Sequence, residues 1–452
     1  MDRNLTLGIG SFLILLLSIL AVACGGGEGD VTTVPSAGPT DVDTATVTPT
    51  ASPTDTPNPT ETPGSSPTPA STPTPDLTPT PSPDLRGVRS EDDELDVFRD
   101  ISSYVRSELV AEAAWPVGLA FAPDGRLFYN ELRTGLVRII DGDGNLLPEP
   151  FVAVEVQQGT EYGLIGLAID PDFEENHHVY ILFTAPGPIK AIPRIMRFTD
   201  EGNVGVEPTL ILDLPETFAD RFAFHVGGNI HFGPDGYLYV TVGDYNVAEL
   251  AQDLSMPQGK ILRINKEDGS AAPNNPFADR PGADPRVFAL GLRNSWDFTF
   301  HPLTGDIYAT ENGDFNCDEL NRIVAGGNYG WPLSAQSFKV GGAGTCHDGT
   351  ALEAIHYFTR HPARAPSTLF STVAPTGIEF ISWDTYKPLE DSLLVCEFNT
   401  GRMRHFLLQG PDQDIVLDGS ILVDDCRLDI AVSPGGVAYY SNESEIRRLT
   451  PQ

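Results

Sequence analysis

The chain has 452 residues, of which 63 are Asp or Glu and 28 Lys or Arg, a formal net charge of −35. So acidic a chain repels phosphate backbones and anionic surfaces, which argues against a nucleic-acid partner and favours cations, calcium among them. Residues 1–85 contain nine acids and Arg3, so about −27 of the charge belongs to the remainder.

Residues 1–24 read as a signal segment: Arg3, an apolar run from Leu5 to Val22, then Ala23-Cys24-Gly25-Gly26-Gly27, with a cysteine where cleavage would fall. The segment resembles a bacterial lipoprotein signal, which implies a lipid anchor at Cys24 and a cell-envelope or secreted protein. An uncleaved anchor is the alternative, because the run is nearly long enough to span a bilayer. Residues 25–100 read as a linker. From Val31 to Asp84 it is Thr, Pro, Ser and Asp without one aromatic residue, so it buries too little apolar surface to offset its ordering entropy. As an extended tether it reaches on the order of 100 Å.

Residues 101–452 carry a repeat. An alternating apolar run, a tight Pro/Asp/Gly turn and a second apolar run recur six times: from Gly118, Gly166, Asn229, Asp297, Gly377 and Leu428. Units spaced roughly 45 to 85 residues apart, with period-2 alternation on both sides of a turn, predict an all-β six-bladed β-propeller. Function then belongs on one face near the axis. Asp141-Gly142-Asp143-Gly144-Asn145 reads as a hairpin turn.

Besides Cys24 there are Cys317, Cys346, Cys396 and Cys426. An even remainder in an exported chain suggests disulfides; three pairings are open, and sequence neighbours favour 317 with 346 and 396 with 426. In His225-Val226-Gly227-Gly228-Asn229, two glycines permit close backbone approach beside an imidazole that can take a proton near neutral pH. Such an imidazole must be neutral to act, and its neighbour in sequence is Phe224 rather than an acid. Asp314, Asn316 and Asp318 imitate the start of an EF-hand loop, but no Gly follows and position twelve lacks Glu, which excludes that motif.

The segments His225–Asp244, GKILRI from Gly259, ALGLRN from Ala289 and CDELNRIVAGGNYGW from Cys317 together resemble the glucose/sorbosone dehydrogenase family, over roughly Trp115 to Leu449. The resemblance implies an exported oxidoreductase that uses pyrroloquinoline quinone (PQQ) and Ca2+ to oxidise an aldose sugar to its lactone, passing electrons to a respiratory acceptor. It implies His225 as catalytic base, Arg293 and Asn294 on the cofactor, Glu161 in support, and a calcium held by the backbone carbonyls of Gly313 and Asp314. The chain also departs from the quinoprotein pattern. Asn399 stands where a cofactor-binding lysine is expected, and Cys426-Arg427-Leu428 supplies one arginine where two are usual; Arg402, Arg404 or Arg427 are candidates to compensate. Two other readings follow: a calcium-stabilised binding propeller without the quinone, as in the Hedgehog-interacting branch, and a calcium-dependent lactonase.

Overall fold

The computed structural model describes residues 102–451 except 188–189, 218–223, 315–316, 333–350, 359–371, 382–391, 411–412 and 414. The expected signal segment and the whole of the expected linker, with Cys24, therefore lie outside the described residues, as do Cys346 and Asn316. Among the described residues no helix is long and apolar enough to cross a membrane.

Six four-stranded antiparallel sheets make up the fold. In each, the two runs of the repeat are the first two strands: Pro116–Phe121 with Leu127–Glu131 in blade 1, Leu164–Ile169 with His178–Ala185 in blade 2, and Ile230–Phe232 with Leu238–Val242 in blade 3. Blades 4, 5 and 6 follow with Ser295–Phe300 and Ile307–Glu311, Pro375–Ile381 and Ser392–Glu397, and Ile430–Val432 and Ala438–Ser441. First strands of successive sheets pack against one another all the way around, blade 6 returning to blade 1, so they line the axis. The six-bladed ring expected from the repeat is the fold observed.

Closure uses chain from both ends. Val105–Glu112 pairs antiparallel with the last strand, Glu445–Pro451, and becomes the outermost strand of blade 6. A ring closed this way ties the two ends of the described chain into one sheet.

Contacts between blades are apolar on the sheet faces and polar at the axis. Phe128, Phe151 and Phe173 stack edge-to-face between blades 1 and 2, within a buried cluster that includes Leu167, Val179 and Phe183. At the axis Gly118, Gly166 and Gly377 of blades 1, 2 and 5 take the place that Asn229, Asp297 and Asp429 take in blades 3, 4 and 6. Each Gly blade donates to a neighbour: Leu119 N–H to Asp429 Oδ2 at 2.6 Å, Leu167 N–H to Asn229 Oδ1 at 3.1 Å, and Ile378 N–H to Asp297 Oδ2 at 3.2 Å. A side chain on one strand thus satisfies a backbone donor on the next, which a sheet edge buried at the hub requires.

Of the two expected disulfides, Cys396–Cys426 is formed, joining the second strand of blade 5 to the loop that enters blade 6, with Cα atoms 5.1 Å apart. Cys317 is disulfide-bonded as well.

Candidate active site

All six residues singled out from sequence lie on one face of the ring, in loops that precede a first strand or follow a second. His225 precedes the first strand of blade 3, Arg293 and Asn294 that of blade 4, and Glu161 that of blade 2, while Gly313 and Asp314 follow Glu311 at the end of blade 4's second strand.

Close packing explains the Gly pair beside His225. A Cβ on Gly228 would stand 1.5 Å from the Trp296 carbonyl oxygen, and one on Gly227, at φ +97°, would stand 2.4 Å from that of Thr241. His225 itself has φ +59°, in the left-handed region, and Tyr245 and Asn246 opposite it are at +53° and +60°. Backbone strain concentrated at one place is a mark of functional sites.

The surroundings of His225 correct one expectation. Phe224 is its neighbour in sequence, but Asp244, two residues past the end of blade 3's second strand, places Oδ1 2.7 Å from His225 Nδ1. The carboxylate is fixed from three sides: Trp331 Nε1–H donates to Oδ2 at 2.8 Å, the Asn246 N–H donates to Oδ1 at 2.8 Å, and the side chain is 1% exposed. With Nδ1–H given to Asp244, the neutral imidazole presents Nε2 as a proton acceptor. The two-strand hairpin that brings residue 244 back beside 225 is what sequence adjacency could not show.

Glu161 and Asn294 are drawn together beneath this pair. Glu161 Oε2 accepts the His225 backbone N–H at 2.7 Å and the Asn294 amide N–H at 3.3 Å, while Asn294 Oδ1 accepts the Gly227 N–H at 3.4 Å. Three blades thereby meet at one carboxylate, and both ends of the Asn294 amide are occupied by protein. Glu161 is only half-buried by exposed area, yet it is ringed closely enough that burial raises its pKa, a tendency opposed by His225.

Arg293 lies over the Trp331 ring, with Cζ 5.4 Å from the centroid, and its Nη1–H donates to the Asn312 carbonyl at 2.9 Å. Nη2 is 3.6 Å from Asp314 Oδ1, and Nε is buried without a partner. The loop from Glu311 is anchored by two buried acids. Glu311 Oε1 accepts the backbone N–H groups of Arg293 and Asn294, and Asp318 accepts those of Gly313, Val373 and Ala374. Burial pushes Glu311 and Glu319 each up to about 8 and Asp318 up to about 6. Among the described residues no three His, Cys, Asp or Glu side chains gather as a metal cluster; the expected calcium ligands, the Gly313 and Asp314 carbonyls, are of another kind.

Of the three candidate compensating cations, Arg404 lies elsewhere and Arg427 is engaged. Arg404 is 2% exposed, 3.5 Å from Glu397 and packed against Phe358 and Phe406, which removes it from this face. Arg427 donates to the Phe398 carbonyl and lies 3.7 Å from Glu443. Asn399, in the lysine position, donates to the Thr372 carbonyl at 2.8 Å.

The glucose/sorbosone dehydrogenase family model matches residues 113–450, three quarters of the chain. The chain belongs to the glucose/sorbosone dehydrogenase family. Its relatives include the aldose sugar dehydrogenase YliI of Escherichia coli, 26% identical over 75% of this chain and 90% of that one. A shorter match, to human Hedgehog-interacting protein, is 30% identical over 41% of this chain and 30% of that protein. Among solved structures, an oxidoreductase (glucose dehydrogenase) of Thermus thermophilus superposes with a TM-score of 0.64 at 31% identity, covering 76% of this chain and 99% of that one. The PQQ-bound aldose sugar dehydrogenase of Streptomyces coelicolor gives 0.59 at 26% identity, covering 77% and 99%.

Sequence reasoning named His225 and Arg293 but passed over Asp244 and Trp331. Both were visible as the closing residues of quoted motifs, VTVGD and NYGW, and what singles them out is a contact 87 residues apart.

Proposed function

We propose that this member of the family is a quinone-dependent aldose dehydrogenase, with the His225–Asp244 pair as its proton-abstracting unit. The observation that carries the reading is the chain of contacts from His225 through Asp244 and Trp331 to Arg293, on the face where loops of all blades converge. His225 Nε2 takes the proton of the sugar's anomeric hydroxyl; Asp244 holds the ring in the accepting tautomer and stabilises the imidazolium that results. Glu161 and Asn294 hold the His225 backbone in place. Arg293, with an unpartnered buried Nε, suits an anionic or carbonyl oxygen of the cofactor, and the Gly313 and Asp314 carbonyls suit a hard cation such as Ca2+. PQQ, when bound, supplies the two-electron acceptor for the sugar C–H bond.

The same residues fit the cofactor less well at its outer end. With Asn399 for lysine, Arg404 buried and Arg427 tied to a carbonyl, two or three charge-assisted contacts are lost, at about 1.5 to 3 kcal/mol each. This favours a second reading, a binding propeller that kept the scaffold and lost the quinone. Titration of the protein with PQQ and Ca2+, followed by dye reduction over a panel of aldoses, separates the two. The first reading expects micromolar binding and sugar-dependent turnover. Absence of PQQ binding at tens of micromolar, with the fold intact, gives the case to the second. Export through the segment before Cys24, a lipid anchor there, and electron delivery to a respiratory acceptor belong to the first reading, and acyl labelling lost in Cys24→Ser checks the anchor.

A further inference from the structure

Lys260 opens the third strand of blade 3, Lys260–Ile264, and is fully buried, a setting in which lysine is rare unless an acid pairs with it. Among the described residues its hydrogen-bond partners are backbone carbonyls alone. Nζ donates to Leu250 O at 2.7 Å, Ala251 O at 3.1 Å and Gln258 O at 2.7 Å, which uses all three ammonium hydrogens. Burial pushes its pKa down to about 7, with Asp253 and Asp284 opposing only at longer range. The position keeps a costly charge because it needs three donors at one buried point, which no apolar side chain supplies.

The three carbonyls belong to the loop that joins the second and third strands of blade 3 on the His225 face, where Ala248–Gln252 forms a 3-10 turn. From this turn two contacts cross to the loop that follows the third strand of blade 4. Gln252 Nε2 donates to the Trp331 carbonyl at 2.6 Å, and the Gln252 and Asn328 amides donate to each other at 3.0 and 2.8 Å. The Trp331 N–H donates to the Gly291 carbonyl at 2.9 Å, and the Gly291 N–H donates at 3.0 Å to the same Ala251 carbonyl that Lys260 caps. Both ends of the Trp331 main chain therefore hang on one turn, and Lys260 holds that turn from inside. The indole so placed is the one that donates to Asp244 and lies under Arg293.

We propose that Lys260 and Gln252 are positioning residues of the His225 site, which fix Trp331 and, through its ring, the Asp244 carboxylate and the Arg293 guanidinium. Their effect on turnover rests on the dehydrogenase reading, whereas their hold on the indole does not. The contact from Trp331 to Asp244 runs between two blades, so its length is as well defined as the turn that ties them. Lys260→Met fills the space of the lysine but leaves three carbonyls without a donor, and the turn must move to satisfy them. Gln252→Ala leaves the turn capped and cuts its bond to Trp331.

The test begins with quinone-free protein. The chain has four tryptophans, and the indole N–H signal of Trp331 in proton–nitrogen NMR spectra is identified by its loss in Trp331→Phe. Hydrogen exchange at that signal reads the bond to Asp244. Lys260→Met and Gln252→Ala are each expected to speed exchange at Trp331 by at least about tenfold, with the other indoles within about twofold of wild type. Unchanged exchange at Trp331 overturns the proposal, and so does a common acceleration of all four signals, which reports general loosening. Should Lys260→Met fail to fold, Gln252→Ala decides on the same outcomes. After reconstitution with PQQ and Ca2+, Gln252→Ala is expected to lower kcat by about fivefold at unchanged sugar KM, and to add less than about twofold to the loss in Trp331→Phe. Full additivity of the two substitutions overturns the route through Trp331. A wild type that binds PQQ without turnover sinks the dehydrogenase reading instead, and the exchange rates still decide whether the two residues hold the indole.

Discussion

An imidazole that takes protons must keep one nitrogen free and the other held. Asp244 holds Nδ1 of His225 at 2.7 Å, and Trp331 holds Asp244 at 2.8 Å. In the proposed reaction Asp244→Asn removes the carboxylate that orients the ring and stabilises its charged form, so kcat is expected to fall by about 10² to 10⁴ with little change in sugar KM. Trp331→Phe keeps the ring under Arg293 but removes the indole N–H, and a loss of about tenfold in kcat is expected. Steady-state kinetics of the two variants checks the order; a Trp331→Phe loss as large as that of Asp244→Asn contradicts it. His225 and Arg293 were legible because the glycine pair and the GLRN segment mark them in one stretch of chain. Asp244 was not, because only the hairpin return brings it to position 225.

At the scale of elements, the segment entering blade 3 tolerates no side chain at Gly228, where a Cβ would overlap the Trp296 carbonyl. Gly228→Ala must push two first strands apart, and an overpacking cost of about 3 kcal/mol or more is expected from denaturant unfolding. The Cys396–Cys426 bond, spanning 30 residues, ties the second strand of blade 5 to the loop entering blade 6, so Cys396→Ser with Cys426→Ser is expected to lower stability by about 3 kcal/mol. The strands and their turns were plain in the repeat, since alternation and the Pro/Asp/Gly turn are both local. Which of Arg402, Arg404 and Arg427 faces the site was not, since alternation assigns a face only once the register is known. Arg404 is buried in the sheet because Glu397 lies beside it.

Over the whole molecule, the ring is drawn together at a polar hub. His231 Nε2 lies 2.7 Å from Asp297 Oδ1, and Thr299 donates to Glu379 Oε1 at 2.8 Å. Burial pushes Asp297 up to about 7, Asp429 well above the usual carboxylate range and Glu379 upward, while it lowers His231. A carboxyl whose folded pKa is raised binds more protons folded than unfolded, so its contribution is full below the unfolded value near 4 and is lost as pH rises toward 7. Asp297→Asn, which cannot ionise, is expected to flatten the fall in stability between about pH 4 and 7, by a few kcal/mol at most. Denaturant midpoints across that range read it, and parallel curves for the two proteins contradict the hub assignment. Asn229, Asp297 and Asp429, in matching places of repeats 3, 4 and 6, were visible once the copies were set side by side; that they meet follows only from closing the ring.

The central claim is that this face removes a proton from a sugar through His225. Single-turnover mixing of an aldose with protein reconstituted with PQQ and Ca2+, in wild type and His225→Ala, tests it most directly. Rapid sugar-dependent reduction of the bound quinone is expected in wild type, and a loss of at least about 10² in that rate in the variant, with PQQ binding retained. Equal rates in the two proteins contradict the claim.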